Sequence, residues 1–267
     1  MIYFAATPIG NLKDITLRVL ETLKEADAIF CEDTRHTLKL LSAYDIKKPL
    51  YACHKFNESE AAEKIIALSQ EGKNVCIVSD AGMPVISDPG AIVARKLSEA
   101  GEKYTVLPGA CAFVSALALS AFPAEQFTFL GFLPDKAGER KKVLSEYSAS
   151  RSTLVFHAAP QDVDAYLKVM YEVFGERSAC AVREITKIHE EVIRFHLSAG
   201  LPGEKRGEYV LLVEGAAQKE NPLNALSVRE HVQVYLDRGM EKKEAIKAVA
   251  RDRGVPKNEV YQEALDL

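Results

Sequence analysis

Short apolar runs alternate with amphipathic runs over the first 107 residues, and this alternation constrains the fold more than any other feature. Five runs have the length and composition of buried strands: 2–6, 28–31, 50–53, 75–78 and 104–107. Most of the segments between them have apolar residues at helical spacing, as in the helix predicted over 16–26. A βαβα order of this kind is typical of a mainly parallel sheet with helices on both faces. The sequence therefore predicts an α/β fold.

The pattern changes after residue 111. A helix predicted over 112–121 precedes five further strands at 127–130, 153–156, 179–182, 192–196 and 209–213, and only two helices separate these strands, near 140–147 and 162–174. Strands that follow one another without helices indicate a mixed sheet. We therefore expect two α/β domains, 1–111 and 112–217, followed by a helical tail at 218–267.

Composition excludes several classes of protein. No apolar stretch approaches the ~18 residues that span a bilayer, and the first residues are typical of a strand, not of a signal peptide. The five cysteines are scattered without a CxxC pair, which favours buried thiols in a reduced, cytoplasmic protein. No histidine has companions at metal-ligand spacing, so we expect no metal site. A net charge of −4 argues against wholesale coating of nucleic acid.

Three loops follow predicted parallel strands at their carboxyl ends, where open α/β sheets bind ligands. They span 7–12, 79–90 and 107–112, and none has the GxGxxG pattern of a nicotinamide site. The middle loop also fits a rigid double turn that only starts a helix. If the loops bind a ligand, they together form one pocket. Its candidate cofactor-binding residues are Pro8, Gly10, Asp80, Gly82, Met83, Pro84, Ala110, Cys111 and Ala112.

The stretch CEDTRHT, residues 31–37, follows a predicted strand and concentrates ionisable side chains. Glu32, Asp33 or His36 could accept a proton, and Arg35 could bind a phosphate or stabilise an alkoxide. A local alternative remains open. Asp33 would cap the next helix, predicted over 37–44, while Glu32 pairs with Arg35 and His36 is a surface imidazole.

Two further polar sets and a basic tail are candidates for phosphate contact. In residues 183–191, Arg183 and Lys187 suit phosphates, and the glutamates at 190 and 191 suit ion pairs. His54, Asn57 and Glu58 form a third rim, although Asn57 with Glu60 also fits a helix capping box. From 227 to 257 the tail has eight Lys or Arg against five Asp or Glu. This suggests either a helix-turn-helix that docks on nucleic acid or a solvated helical cap.

Four stretches carry a resemblance to a known family: 6–41, SDAGMPVISDPG at 79–90, GFLP at 131–134 and REITKIHEE at 183–191. In this order they resemble the ribosomal RNA small subunit methyltransferase I family, which belongs to the tetrapyrrole-methylase-like, class III S-adenosylmethionine-dependent methyltransferases. The resemblance covers 1–215, and the tail resembles that family's helical extension.

The resemblance implies a fold, a reaction and partners. It implies two α/β domains with S-adenosylmethionine in the cleft between them, and 2′-O-methylation of a cytidine ribose in the decoding region of 16S rRNA. It also implies action on the 30S subunit and a homodimer in the cytoplasm. Phe156 and Ile185 join the donor-binding candidates. The catalytic candidates are Glu32, Asp33, Arg35 and Lys187, and the RNA-binding candidates are Arg35, His36, His54, Arg183, Lys187, Lys242 and Lys243.

The sequence departs from the family pattern in three places. It has Pro-Gly-Ala-Cys-Ala at 108–112 for Pro-Gly-Pro-Ser-Ala, Cys-His-Lys-Phe-Asn-Glu at 53–58 for Tyr-His-Glu-His-Asn-Glu, and His-Ala-Ala-Pro-Gln-Asp at 157–162 for a Tyr-Glu-Ala-Pro-His-Arg type of run. Two alternatives stay open: a small-molecule tetrapyrrole methylase, which shares the two-domain cleft, or a nucleic-acid-binding regulator that keeps the fold without catalysis, of which the altered 157–162 run would be the sign.

Overall fold

The computed structural model describes residues 1–217 and 221–267, so the predicted start of the tail at 218 lies outside the described residues. The chain forms two compact units, Met1–Ala216 and Ala217–Leu267. The first unit holds two five-stranded sheets, and the second holds a helical core. The predicted α/β fold with a helical extension is confirmed.

The first sheet is entirely parallel, as predicted. Its strands are β1 (Ile2–Ala5), β2 (Ala28–Cys31), β3 (Leu50–Ala52), β4 (Val75–Val78) and β5 (Tyr104–Leu107), in the order β3-β2-β4-β1-β5. Four helices cover its two faces: α1 (Leu17–Glu25), α2 (Thr34–Ala43), α3 (Glu58–Gln70) and α4 (Ala91–Glu99). Alternate residues of β1 to β4 enter separate apolar cores, so Phe30 packs in one and Ile29 in the other, whereas the edge strand β5 is partly exposed. Burial on both faces explains why these strands appear in the sequence as continuous apolar runs.

The second sheet is mixed, which confirms the prediction from consecutive strands. The helix α5 (Ala112–Ser120) leads into β6 (Phe127–Phe132), α6 (Ala137–Glu146), β7 (Thr153–Ala158), α7 (Val163–Phe174), β8 (Ser178–Arg183), β9 (Glu191–His196) and β10 (Tyr209–Val213). The order is β6-β7-β10-β8-β9, and only β6 and β7 pair in parallel. One face packs in a core that includes residues of α6 and α7, and the other in a core that includes residues of α5.

The second unit contains α8 (Val228–Asp237), α9 (Lys242–Arg253) and α10 (Lys257–Glu263) around a small apolar core. Ser227 and Glu230 form a capping box at the start of α8. Arg253 donates to His231 Nδ1 at 3.2 Å and to the carbonyl oxygen of Ser227 at 3.1 Å. Arg253 is therefore part of the internal structure of this unit, whereas Lys243 is exposed.

Three local expectations need correction. The helix predicted over 37–44 begins at Thr34, because Asp33 occupies its N-cap. The helix predicted near 140–147 begins at Ala137. Asn57 stands at the N-cap of α3 but its side chain makes no cap hydrogen bond there, since it turns back to the preceding residues.

None of the helices in the described ranges has the length and hydropathy that a bilayer span requires. All five cysteines are free thiols, and four of them are buried. Burial raises the pKa of Cys76 to about 12, so this thiol stays protonated at neutral pH.

Glu58 fixes the start of α4 from a neighbouring helix. Its side chain is buried, and its Oε2 accepts hydrogen bonds of 2.9 Å from the backbone N–H groups of Gly90 and Ile92. The carboxylate thereby satisfies two N–H groups at the positive end of the α4 dipole.

We predict that Glu58→Ala destabilises the fold by about 2–3 kcal/mol, because charged hydrogen bonds of this kind contribute about 1.5–3 kcal/mol. Urea denaturation measures the loss. Glu63→Ala is the matched control, since Glu63 is on the same helix but largely exposed and pairs only with Lys96. Equal stability of the two variants would contradict a capping role for Glu58.

Candidate active site at the strand ends

The three strand-end loops are joined by backbone hydrogen bonds. Thr7 and Gly82 form an antiparallel bridge with N–O distances of 2.9 and 3.1 Å, and Thr7 Oγ1 donates to the carbonyl oxygen of Ser79 at 3.1 Å. Gly109 lies so close to Ala6 that a Cβ at position 109 would stand 2.8 Å from the Ala6 Cβ. Glycine at 109 is therefore required for this close approach, and the loops form one continuous rim.

A cavity of about 500 Å³ opens beside this rim, and it is lined by residues from the loops of both sheets. This volume is in the usual range for small-molecule sites. Of the predicted donor-binding and catalytic residues, these line it: Gly82, Met83, Cys111, Ala112, Ile185 and Lys187.

Other predicted residues lie outside the lining. These are the donor-binding candidates Pro8, Gly10, Asp80, Pro84, Ala110 and Phe156 and the catalytic candidates Glu32, Asp33 and Arg35. Phe156 is separated from the cavity because its side chain is fully buried in the core beside α6 and α7. Gly10 instead contacts the Lys187 side chain, whose Cε would lie 2.7 Å from a Cβ at position 10.

Strained backbone flanks the cavity in two loops. Val85 has a φ of 78° and Ser87 of 67°, and across the cavity Glu184 has 50° and Thr186 has 65°. A β-branched residue such as valine or threonine rarely adopts this region. Such conformations cost about 1–3 kcal/mol each, and they cluster at functional sites.

Three carboxylates from two loops lie close together, Glu32 after β2 and Asp80 and Asp88 in the loop after β4. Asp88 lines the cavity, and Glu32 and Asp80 lie close enough to act on its charge. Burial and the two neighbouring charges raise the pKa of Asp88 to about 7. Burial and the charge of Asp80 likewise raise the pKa of Glu32. Asp88 is thus poised to exchange a proton near neutral pH. Asp88 was not among the residues predicted from the sequence.

The CEDTRHT stretch is mainly structural in its central part. Asp33 Oδ1 accepts from the Arg35 backbone N–H at 2.8 Å, and Asp33 Oδ2 pairs with Arg35 Nη2 at 2.8 Å. The side-chain and backbone hydrogen bonds from Arg35 hold the pKa of Asp33 well below its usual range. The capping alternative for Asp33 is confirmed, but the expected Glu32–Arg35 pair is wrong, since Arg35 pairs with Asp33. His36 is exposed.

Lys187 is held between two carboxylates. Its Nζ lies 2.9 Å from Glu184 Oε1 and 2.8 Å from Glu208 Oε2. Burial lowers the pKa of Lys187, but the hydrogen bonds to Glu208 and Glu184 outweigh that effect and raise it. Lys187 is therefore a fixed cation on the cavity wall.

The rest of the 183–191 segment is also paired. Arg183 pairs with Glu191 at 3.2 Å, as expected for that glutamate. Glu190 accepts from the Thr186 backbone N–H, so it is a turn-stabilising group and not the expected ion-pair partner. Thr186 Oγ1 donates to Asp14, which connects this loop to the first sheet's side of the cavity.

His157 is a wall residue that the sequence did not single out. Its ring lies 5.1 Å from the ring centroid of Phe129 and 5.4 Å from that of Phe132. Burial lowers its pKa, so the imidazole is neutral at physiological pH. His157 therefore presents a hydrogen-bonding group without a charge to the cavity.

Of the remaining RNA-binding candidates, His54 is not among the residues that line the cavity, and the two lysines belong to the second unit. His54 follows β3, with its backbone N–H bonded to Asn57 Oδ1 at 2.7 Å. Lys242 and Lys243 belong to α9 of the second unit, where Lys242 Nζ donates to the Leu265 carbonyl oxygen at 3.2 Å. Across 1–217 and 221–267, no group of three His, Cys, Asp or Glu side chains is arranged to hold a metal ion.

Known proteins resemble this chain in both sequence and fold. Residues 1–200 match the family described as Tetrapyrrole (Corrin/Porphyrin) Methylases. The chain is 42% identical to "Ribosomal RNA small subunit methyltransferase I" of Bacillus subtilis, over 98% of this chain and 92% of that protein. It is 39% identical to the protein of the same name from Haemophilus influenzae, over 98% of this chain and 95% of that protein.

Solved structures share the fold at low sequence identity. The methyltransferase CobJ aligns with a TM-score of 0.62 at 18% identity, over 82% of this chain and 96% of that chain. A second structure is that of Uroporphyrin-III C-methyl transferase from Thermus thermophilus, complexed with S-adenyl homocysteine. It aligns with a TM-score of 0.56 at 17% identity, over 79% of this chain and 96% of that chain. The chain therefore belongs to the tetrapyrrole methylase family and, within it, to the ribosomal RNA small subunit methyltransferase I proteins.

Proposed function

We propose that this protein transfers the methyl group of S-adenosylmethionine to the ribose 2′-hydroxyl of a cytidine in the decoding region of 16S rRNA. The observation that carries the proposal is the cavity at the strand ends, where Asp88, which exchanges a proton near neutral pH, shares the wall with apolar side chains and with the charged cluster around Lys187. Identity over nearly the whole length of proteins named for ribosomal RNA methylation supports an RNA acceptor.

The cavity residues fit the proposed donor. Apolar side chains such as Ile9 and Met83 suit an adenosyl group, and the backbone of Gly82 lets a ligand approach closely. Glu184 and Glu208 share the single positive charge of Lys187, so this part of the wall keeps one net negative charge, which suits the positive charge of a sulfonium. When bound, S-adenosylmethionine would supply an electrophilic methyl group.

The residues of the chain would then position the acceptor and move one proton. Asp88 would accept the proton of the 2′-hydroxyl, while the donor, on losing its methyl group from sulfur, would leave as the neutral thioether S-adenosylhomocysteine. Glu32 and Asp80 tune Asp88 by keeping a negative field around it. Lys187 and Arg35 are proposed to hold RNA phosphates near the cavity, where exact orientation lowers the barrier.

We further propose that residues 1–111 form the acceptor side, 112–217 the donor side and 218–267 an RNA-docking tail. Lys242 and Lys243, with His36, His54 and Arg183, would add phosphate contacts that position RNA without reading its sequence. We also propose that the protein acts in the cytoplasm as a homodimer on the 30S subunit.

Transfer of tritium from labelled S-adenosylmethionine tests the proposal. We expect label in the 16S rRNA of 30S subunits, at a cytidine whose ribose resists alkaline cleavage. Labelling of a tetrapyrrole instead would replace the RNA acceptor with a small molecule. RNA binding without heat of donor binding in calorimetry would indicate a non-catalytic regulator.

A further inference from the structure

A short turn after β3 presents an aromatic ring to solvent. The side chain of Phe56 is 84% exposed, more than any other phenylalanine or tyrosine in the described parts of the chain. Full exposure of a ring this large is unfavourable unless a partner covers it. The ring is not needed for the fold, because no core cluster of the described residues includes Phe56.

The turn that carries the ring is rigid. Asn57 Oδ1 accepts from the His54 backbone N–H at 2.7 Å, and Asn57 Nδ2 donates to the Ala52 carbonyl oxygen at 3.1 Å. The Cys53 N–H continues the ladder to the Cys31 carbonyl oxygen at 2.7 Å. The exposed ring therefore sits on an ordered support, which lowers the entropy cost of binding.

Cationic and hydrogen-bonding groups surround the ring. Lys55 Nζ lies over one face of the Phe56 ring, 4.9 Å from its centroid, and the His54 ring meets it edge-on with centroids 6.1 Å apart. His54 Nδ1 is buried and lacks a hydrogen-bond partner among the described residues. An aromatic face beside a cation is the arrangement with which proteins bind single-stranded nucleic acid.

The turn also adjoins the carboxylate cluster. β3 pairs with β2, which ends at Cys31, directly before Glu32. Burial and Asp80 raise the pKa of Glu32, while the charges of His54 and Lys55 oppose the rise, so both side chains lie near that carboxylate. Glu32 in turn acts on Asp88 at the cavity wall.

We propose that Phe56 is a stacking platform for an RNA base next to the methylated ribose, with Lys55 contacting the adjoining phosphate. This inference rests on the proposed function, because the platform holds the RNA whose ribose is presented to Asp88. Stacking on a phenylalanine face is tolerant of base identity. The platform therefore positions the strand and does not select its sequence.

The absence of tryptophan from the sequence allows a direct test. In a Phe56→Trp variant the new indole is the only one, and a base stacked on it should quench its fluorescence. We expect saturable quenching by an oligocytidylate hexamer and none by an abasic ribose-phosphate hexamer. Tyr171→Trp is the matched control, since Tyr171 is an exposed aromatic on α7, outside the cavity lining.

Affinity measurements on Phe56→Ala complete the test. We expect about tenfold or greater loss of hexamer affinity, an unchanged affinity for S-adenosylmethionine and an unchanged salt dependence, because no phosphate contact is removed. Phe56→Tyr should restore binding. Unquenched Phe56→Trp, or wild-type affinity in Phe56→Ala, would overturn the proposal. A change of oligomeric state in Phe56→Ala without loss of RNA affinity would also overturn it and assign the ring to a protein interface.

The design separates this inference from the proposed function. Quenching requires no methyl transfer, so a quenched Phe56→Trp variant of a protein that methylates no RNA would retain the platform and reject the enzyme. If the wild-type protein methylates RNA but the Phe56→Trp variant is not quenched, the enzyme activity is retained and the platform is rejected.

Discussion

Replacing Asp88 by asparagine is expected to lower the single-turnover rate of methyl transfer by about 10²–10⁴-fold, the usual contribution of a general base. The wild-type rate should rise with pH and level off above about 7, because Asp88 must be ionised to accept the proton. The Asp88→Asn rate should show no such rise. Quenched-flow labelling of 30S subunits between pH 5.5 and 8.5 measures both profiles.

Thermal stability gives this prediction a second readout. The pKa of Asp88 is raised to about 7, so its stabilising contribution is present below its ordinary value of 3.8 and is lost as pH rises through 7. Asp88→Asn stays neutral at every pH and should therefore melt at a higher temperature than the wild type at pH 8, with a smaller difference at pH 5. A variant that is both slower and more stable has lost a group kept for function.

The control is Asp45→Asn, because Asp45 is exposed and its φ of 56° suits asparagine equally well. It should match the wild type in rate and in pH profile. If Asp88→Asn also kept the wild-type rate and pH profile, Asp88 would not be the base, and Glu32 would be tested next.

Replacing Gly82 by valine is expected to weaken S-adenosylmethionine binding by about 100-fold or more. Gly82 has a φ of +82°, and a Cβ there would stand 3.3 Å from Ile9 Cγ2 and 3.6 Å from the Ala110 carbonyl oxygen. A β-branched residue would add strain of about 1–3 kcal/mol and disturb the bridge to Thr7, which holds two loops of the cavity together. Isothermal titration calorimetry measures the donor affinity.

Gly72→Val is the matched control for this variant. Gly72 has the same φ of +82°, but no atom lies within 4 Å of its added Cβ. Both variants should lose thermal stability through backbone strain, and only Gly82→Val should lose donor affinity. Equal donor affinities would place the donor away from the Gly82 loop.

The sequence predicted the sheets well because their strands follow simple rules. β4 and β5 were placed at their exact bounds, since each is an apolar run between polar or glycine-containing segments. The presence of a second, mixed sheet after the parallel one was also predicted, because strands that follow one another without intervening helices cannot all be parallel.

Predictions from local sequence failed where a residue distant in the chain supplies the hydrogen-bond partner or the neighbouring charge. A capping box was predicted for Asn57, but its side chain bonds to residues before it, and Glu58 caps a different helix 32 residues away. The sequence singled out the charged residues 32–36 but not Asp88, whose raised pKa depends on burial and on the charge of Glu32, 56 residues earlier in the chain. No periodicity records that proximity, so Asp88 became visible as a site residue only with the fold.

The order of strands in the first sheet also determines when this protein can fold during its synthesis. β1 contains the first residues of the chain, yet it lies in the interior of the sheet between β4 and β5. Neither neighbour exists until residues 75–78 and 104–107 have been made. At about 5–20 residues per second, the apolar β1 segment waits on the order of 5–20 s for its last partner. The nascent chain therefore carries an unpaired apolar segment for that interval, the kind of surface that chaperones protect, and the strand-end site is assembled only after most of its parts have been translated.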